Sequence, residues 1–292
     1  MKLTELDHRP LIVAAVTPLT DDGLALDEGA IAPYASFLAS HGADGIFACG
    51  TTGEGVLLSL DERRRAAAGF RRASRGVLVV HAGAQTTADS VALAAHAAEI
   101  GADAVAVIPP PYFALDADAL TAHFVAAARA CAPLPFYCYA FTARSGYPLP
   151  VEVIRRIGES VDNLAGLKVS ESPFDRVEPY LELGLPVLIG SEPLIAAGLA
   201  HGAIGTVSGM AAAFPDVVRE ALDAGDEAAM GRLRELRGAL EASGQFIAAA
   251  KHLLGLRGIP VTPGMRAPLR RLSPDEAQHL EAAVNRGVAL AL

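Results

Sequence analysis

The stretch VLVVHAGAQTTADSVALAAHAAEIGADAVAVI, Val77–Ile108, sets the rhythm from which the fold is read. It opens with an apolar, β-branched run of strand length, Val77–Ala82, and closes with another, Ala104–Ile108. Between them Thr87–Ile100 has the length and the alanine content of a helix. Gly101-Ala102-Asp103 follows, and a glycine there can take the left-handed conformation that ends a helix and returns the chain to a sheet. The order makes one βαβ unit whose strands lack polar alternation, as strands buried on both faces of a parallel sheet do.

The same rhythm extends in both directions. Further strands are expected near Leu11–Val16, Gly45–Cys49, Pro135–Tyr139, Leu164–Val169, Val187–Gly190 and Ile204–Ser208, with helices such as Asp27–Ser40, Asp61–Ala73 and Asp116–Ala130 between them. Gly42-Ala43-Asp44 repeats the turn at 101–103, and His201-Gly202-Ala203 is a looser copy. Ser59 and Glu62 have capping-box spacing. Eight strands alternating with helices predict a closed (β/α)8 TIM barrel, an α/β fold. A doubly wound open sheet is the alternative, but no strand runs into a glycine-rich dinucleotide fingerprint. Past Phe214 helices take over, at about Pro215–Ala224, Asp226–Leu254 and Pro274–Ala289, with a turn-rich stretch at Gly258–Pro268. The expected organisation is a barrel over 1–224 and a helical C-terminal extension over 225–292 packed on it.

Composition narrows the function. The 292 residues are 52% apolar with no tryptophan, in keeping with helices around a buried sheet. A net charge of −9 argues against nucleic acid as a partner, because phosphate contacts need clustered cations. The basic runs Arg63-Arg64-Arg65 and Arg71-Arg72 read as a solvated helix face. Cys49, Cys131 and Cys138 make no disulfide framework and read as reduced thiols, hence a cytoplasmic location. Met1–Pro10 has no targeting pattern, and Leu11–Val16 is too short to span a membrane.

In a barrel of this kind the chemistry sits at the C-terminal ends of the strands. That selects Gly50–Glu54, Pro109–Phe113, Tyr139, Lys168, Gly190-Ser191 and Ser208. Lysine is scarce: only Lys2, Lys168 and Lys251 occur. Lys2 belongs to the terminus, and Lys251 in the apolar run Phe246–Leu254 reads as snorkelling or salt-bridged. Lys168 ends a run that should face a dry interior. Burial lowers a lysine from its usual value of about 10.4 towards neutrality, and the neutral amine is the form that attacks a carbonyl. An ion pair with Glu171 or another carboxylate explains the same pattern, and the residues alone leave both readings open. If the fifth and sixth strands pair, Tyr139 can meet Lys168 and pass protons, although a core tyrosine reaching the rim reads equally well. Tyr137 shares that face one layer deeper. The Gly50-Thr51-Thr52-Gly53-Glu54 loop offers hydroxyls and backbone amides suited to a carboxylate, with Glu54 bracing the loop. No zinc-binding spacing, phosphate loop or nucleophile elbow is present, so no metal and no cofactor are expected.

On these residues the chain resembles the dihydrodipicolinate synthase and N-acetylneuraminate lyase superfamily of class I aldolases. The resemblance runs through Ala15-Val16-Thr17-Pro18-Leu19, Gly50–Glu54, Tyr139 with Arg144-Ser145-Gly146, Gly166-Leu167-Lys168, Gly202–Ser208, and Lys251 with Arg266-Ala267-Pro268-Leu269. It implies that Lys168 forms a Schiff base with pyruvate and Tyr139 shuttles protons. It also implies that Thr51 and Thr52 hold the pyruvate carboxylate, Thr51 within the proton relay, that the carbonyl of Val207 faces the lysine, and that Arg144 receives the carboxylate of the aldehyde partner. A homotetramer is the implied assembly. Three departures stand out. Tyr112-Phe113 replaces the paired tyrosines of the synthases, Ala140 and Thr142 replace an asparagine and a proline, and Val169 replaces an acidic residue.

The expected function is therefore a lyase that joins pyruvate or a related 2-keto acid to an aldehyde, or runs the cleavage, in the manner of dihydrodipicolinate synthase. An aldolase or dehydratase for a sugar-derived or aromatic 2-keto acid is the chemical alternative, and Phe113 and Ala140 enlarge the apolar share of the pocket, which favours a less polar second substrate. A non-catalytic 2-keto acid binding protein is the alternative from another class, and a metal-dependent barrel aldolase is a third.

Overall fold

The computed structural model describes residues 7–287. Eight strands, hydrogen-bonded in chain order, close into a parallel barrel. The described residues divide into two compact units, one built on residues 7–10 and 77–207, the other on 11–76 and 208–287.

The first unit contains a βαβ unit made of β3 (Val77–His81), α3 (Thr87–Glu99) and β4 (Ala104–Val107). Thr86 caps α3 through the Asp89 amide, and Gly101 closes it at φ +72°. The unit continues with α4 (Ala117–Cys131), β5 (Phe136–Ala140), the one-turn α5 (Thr142–Ser145), α6 (Val151–Ser160) and β6 (Leu164–Val169). It ends with α7 (Glu178–Leu181), β7 (Val187–Ile189), α8 (Ile195–Ala200) and β8 (Gly205–Ser208). Every residue of β3, β4 and β5 is buried. Each fully buried aliphatic side chain contributes about 1.5–3 kcal/mol of burial free energy, so these strands add substantially to the apolar stabilisation.

The second unit holds β1 (Leu11–Ala14), α1 (Ile31–Ser40), β2 (Gly45–Ala48) and α2 (Leu60–Ala73), then α9 (Pro215–Ala224), α10 (Glu227–Glu241), α11 (Phe246–Leu256) and α12 (Pro274–Gly287). The Ser59–Glu62 capping box is formed in both directions, with Glu62 N–H donating to Ser59 Oγ at 3.2 Å and Ser59 N–H to Glu62 Oε2 at 2.9 Å.

The strands expected from sequence are present with ends within one or two residues. Two readings change. The single helix expected over Asp226–Leu254 is two, α10 and α11, because the chain turns at Gly244 with φ +66°. Arg63, expected on a solvated face, is 3% exposed, while Arg65 and Arg72 of the same helix reach Glu28 on the surface. The helix turns Arg63 onto the inward stripe shared by Ala66, Ala67 and Phe70. Of the helix expected to Ala289, the last two residues lie outside the described segment, as does Lys2. All three cysteines are buried thiols outside any disulfide.

Candidate active site

Strands β5 and β6 pair so that Tyr139 lies directly opposite Lys168. Residues paired across a parallel ladder point to the same face, so the register that buries both strands also brings phenol and amine together. Lys168 Nζ lies 4.1 Å from the centroid of the Tyr139 ring, and the two residues are 4% and 1% exposed. Burial pulls the Lys168 amine below the ordinary lysine value, while the neighbouring Tyr139 phenol works in the opposite direction. An amine held this way keeps a larger neutral fraction at physiological pH. Glu171, the carboxylate that the ion-pair reading would assign to Lys168, is committed elsewhere: its Oε1 accepts from Thr142 N–H at 2.7 Å and from Thr142 Oγ1 at 2.9 Å.

Small residues make the space around the amine. A Cβ placed on Gly190 would fall 3.3 Å from Lys168 Cε and 2.0 Å from Ser170 Oγ. One on Gly166 would fall 2.8 Å from the ring of Tyr137, the deeper tyrosine, whose phenol burial pushes up to about 12. Val207 sits on β8 with 1% exposure. Arg144 lies on α5, exposed, with its guanidinium 5.7 Å from the Phe141 ring centroid. Tyr112 and Phe113 are 87% and 66% exposed beyond β4.

In the second unit, the Gly50–Glu54 loop follows β2 in a strained path. Cys49 and Glu54 take positive φ (59° and 57°), and a Cβ on Gly55 would fall 1.9 Å from the Cys49 carbonyl oxygen. Thr17 Oγ1 donates to Gly53 O at 2.6 Å. Thr52 is 8% exposed, and Thr51 is half-buried. Glu54 holds the conformation from below: Lys251 Nζ of α11 donates to its Oε1 at 2.5 Å and to Gly264 O at 2.7 Å, and Arg266 N–H donates to its Oε2 at 2.7 Å. The bracing role expected of Glu54 and the salt bridge expected of Lys251 are the same contact. Lys251 does not snorkel, being fully buried.

Three buried polar residues near strand ends escaped the sequence reading. Ser170 lies two residues past Lys168, and Glu192, 1% exposed, lies two residues past Gly190. His81, 3% exposed, ends β3 with its ring 5.9 Å from that of Tyr139. Strand parity was the available signal: a residue two beyond an inward one points inward again. Among the described residues no group of three or more His, Cys, Asp or Glu gathers as a metal site, and no helix is long and apolar enough to cross a membrane.

The sequence matches the dihydrodipicolinate synthetase family over residues 7–286. It is 37% identical over 286 residues to an uncharacterized DapA-like lyase of Halobacterium salinarum, covering 93% of this chain and 91% of that protein. It is 32% identical over 280 residues to the 4-hydroxy-tetrahydrodipicolinate synthase of Corynebacterium aurimucosum, with 92% and 90% coverage. The N-acetylneuraminate lyase structure from Proteus mirabilis superposes with a TM-score of 0.86 at 29% identity, covering 96% of this chain and 98% of that one.

Proposed function

Since the chain belongs to the dihydrodipicolinate synthetase family and is a class I aldolase-like lyase, we propose that Lys168 captures pyruvate or a related 2-keto acid and that the enzyme makes or breaks a carbon–carbon bond to an aldehyde. The observation that carries this reading is the Tyr139–Lys168 register pair, with a buried amine held below its ordinary protonation range.

The chemistry follows from what those groups can do. The neutral Lys168 amine adds to C2 of the keto acid, and Tyr139 hands protons to the carbinolamine oxygen until it leaves as water. The resulting iminium withdraws electrons, so a C3 proton departs and an enamine forms. Its C3 attacks the aldehyde carbon, and the aldehyde oxygen takes up a proton. Water then adds to the imine carbon and releases the product, restoring the amine. Cleavage is the same sequence reversed. The lysine is itself the electron sink, so this route uses no added cofactor.

Thr51 and Thr52 are assigned to the keto-acid carboxylate, Thr51 also to the proton relay, and the Val207 carbonyl to the lysine side of the site. Arg144 is assigned to a carboxylate on the second substrate. Phe113 and Ala140 make the surroundings less polar than those of the synthases, which favours a less polar second substrate than the lysine-pathway aldehyde. The working form in this reading is a cytoplasmic homotetramer. The test is borohydride reduction in the presence of pyruvate, followed by peptide mass spectrometry. The expected result is one stable adduct on Lys168. An unmodified Lys168, with pyruvate bound, would make the chain a keto-acid binder and overturn the proposal.

A further inference from the structure

The barrel interior holds an imidazole, that of His81, which the chemistry above leaves unused. His81 ends β3 and is 3% exposed. Its ring meets that of Tyr139 nearly at right angles, 84°, with centroids 5.9 Å apart. The two residues belong to strands separated by β4, and the contact depends on what β4 puts between them. His81 pairs with Ala106, and Ala106 with Tyr137. A methyl group at 106 lets the imidazole reach past β4. The tilt of barrel strands carries the contact one inward residue further along β5, from Tyr137 to Tyr139.

The chain is also shaped around the far end of this imidazole. A Cβ on Gly83 would fall 2.8 Å from His81 Nε2 and 3.0 Å from Cε1, so the turn after β3 closes on the ring with nothing to spare. The Tyr139 ring is thus bounded by His81, by Phe141 at 6.1 Å and 33°, and by the Lys168 amine at 4.1 Å. Perpendicular aromatic pairs are directional, so the imidazole limits how the phenol ring can turn.

We propose that His81 is a positioning residue for this lyase, fixing the Tyr139 phenol so that its hydroxyl is aimed for proton transfer. The proposal rests on the assignment of Tyr139 as proton shuttle and goes beyond it. His81 need not touch the keto acid. Its effect falls on the proton-transfer steps, and a small misalignment of a catalytic group can cost up to about 100-fold.

The test uses pyruvate alone. Enamine formation exchanges the methyl protons of pyruvate for deuterium in D2O, which NMR follows, while borohydride trapping counts Schiff base separately. In His81→Leu, trapping at saturating pyruvate stays complete and exchange slows by roughly 10-fold or more. His81→Asn, which keeps a side-chain nitrogen but no ring, slows to the same degree. In a Tyr139→Phe background, His81→Leu changes exchange by less than about 2-fold, because the group it positions is gone. The proposal is overturned if His81→Leu exchanges at the wild-type rate, if it slows by the same factor in both backgrounds, or if Asn restores exchange. Failure of the functional reading looks different: the wild type would then neither trap nor exchange.

Discussion

Replacing Lys251 by methionine isolates the contact that ties α11 to the loop after β2. Methionine has similar length and flexibility, so packing is largely kept and the change removes an ammonium group rather than opening a cavity. Both Lys251 and Glu54 side chains are 0% exposed, with Nζ 2.5 Å from Oε1 and 2.7 Å from Gly264 O. Without the ammonium, the Glu54 carboxylate keeps only the Arg266 N–H among those donors. Breaking a buried ion pair from one side costs about 3–5 kcal/mol, because the remaining charge stays out of water. Against a typical total stability of about 5–15 kcal/mol, that is a large fraction and corresponds to a drop in Tm on the order of 10 °C. The assay is urea unfolding followed by circular dichroism and by tyrosine fluorescence. The double variant Lys251→Met/Glu54→Gln removes the stranded charge and should be more stable than the single one, since replacing both partners is far cheaper than removing one. A single-variant loss below about 1 kcal/mol, or a double variant less stable than the single, would refute the reasoning.

Other consequences follow from the same geometry. Burial lowers the Lys168 amine, so below its folded value both states carry the proton and the full cost of burying charge is present; as pH rises toward the ordinary value of about 10.4, the unfolded chain binds the extra proton and native stability rises. Lys168→Met should therefore stabilise the protein most at pH 6 or so and progressively less toward about pH 10, and urea midpoints giving a constant or growing benefit would contradict the sign. Gly190→Ala places a methyl 2.0 Å from Ser170 Oγ and 3.3 Å from Lys168 Cε, and should cut the rate of borohydride-trappable adduct formation. Adding Ser170→Gly should recover most of that rate, and no recovery would show that Ser170 is not the obstacle. Ser59→Ala removes one arm of the capping box and should cost about 1 kcal/mol in the same unfolding assay, with no change in trapping.

Local patterns were legible because they arise within a few residues. Apolar runs of strand length, the glycine turns at 42, 101 and 202, and the Ser59 cap all depend on neighbouring backbone, and the fold class followed from their order. The break between α10 and α11 is local too: Ser243-Gly244 is a turn signal inside an otherwise helical run.

The sequence by itself determined the alternation of strands and helices, the scarcity of lysine, and the strand ends where chemistry had to lie. Tertiary structure alone decided which groups meet. It set Tyr139 against Lys168 through strand register, gave Glu171 to Thr142, and turned Arg63 inward. It joined Lys251 to Glu54 across 197 residues of chain and brought His81 against Tyr139 over the methyl of Ala106. The physical reason is range. Backbone preference acts over a turn or a strand, whereas the protonation of a buried amine and the pairing of buried charges depend on neighbours that only the closed chain supplies.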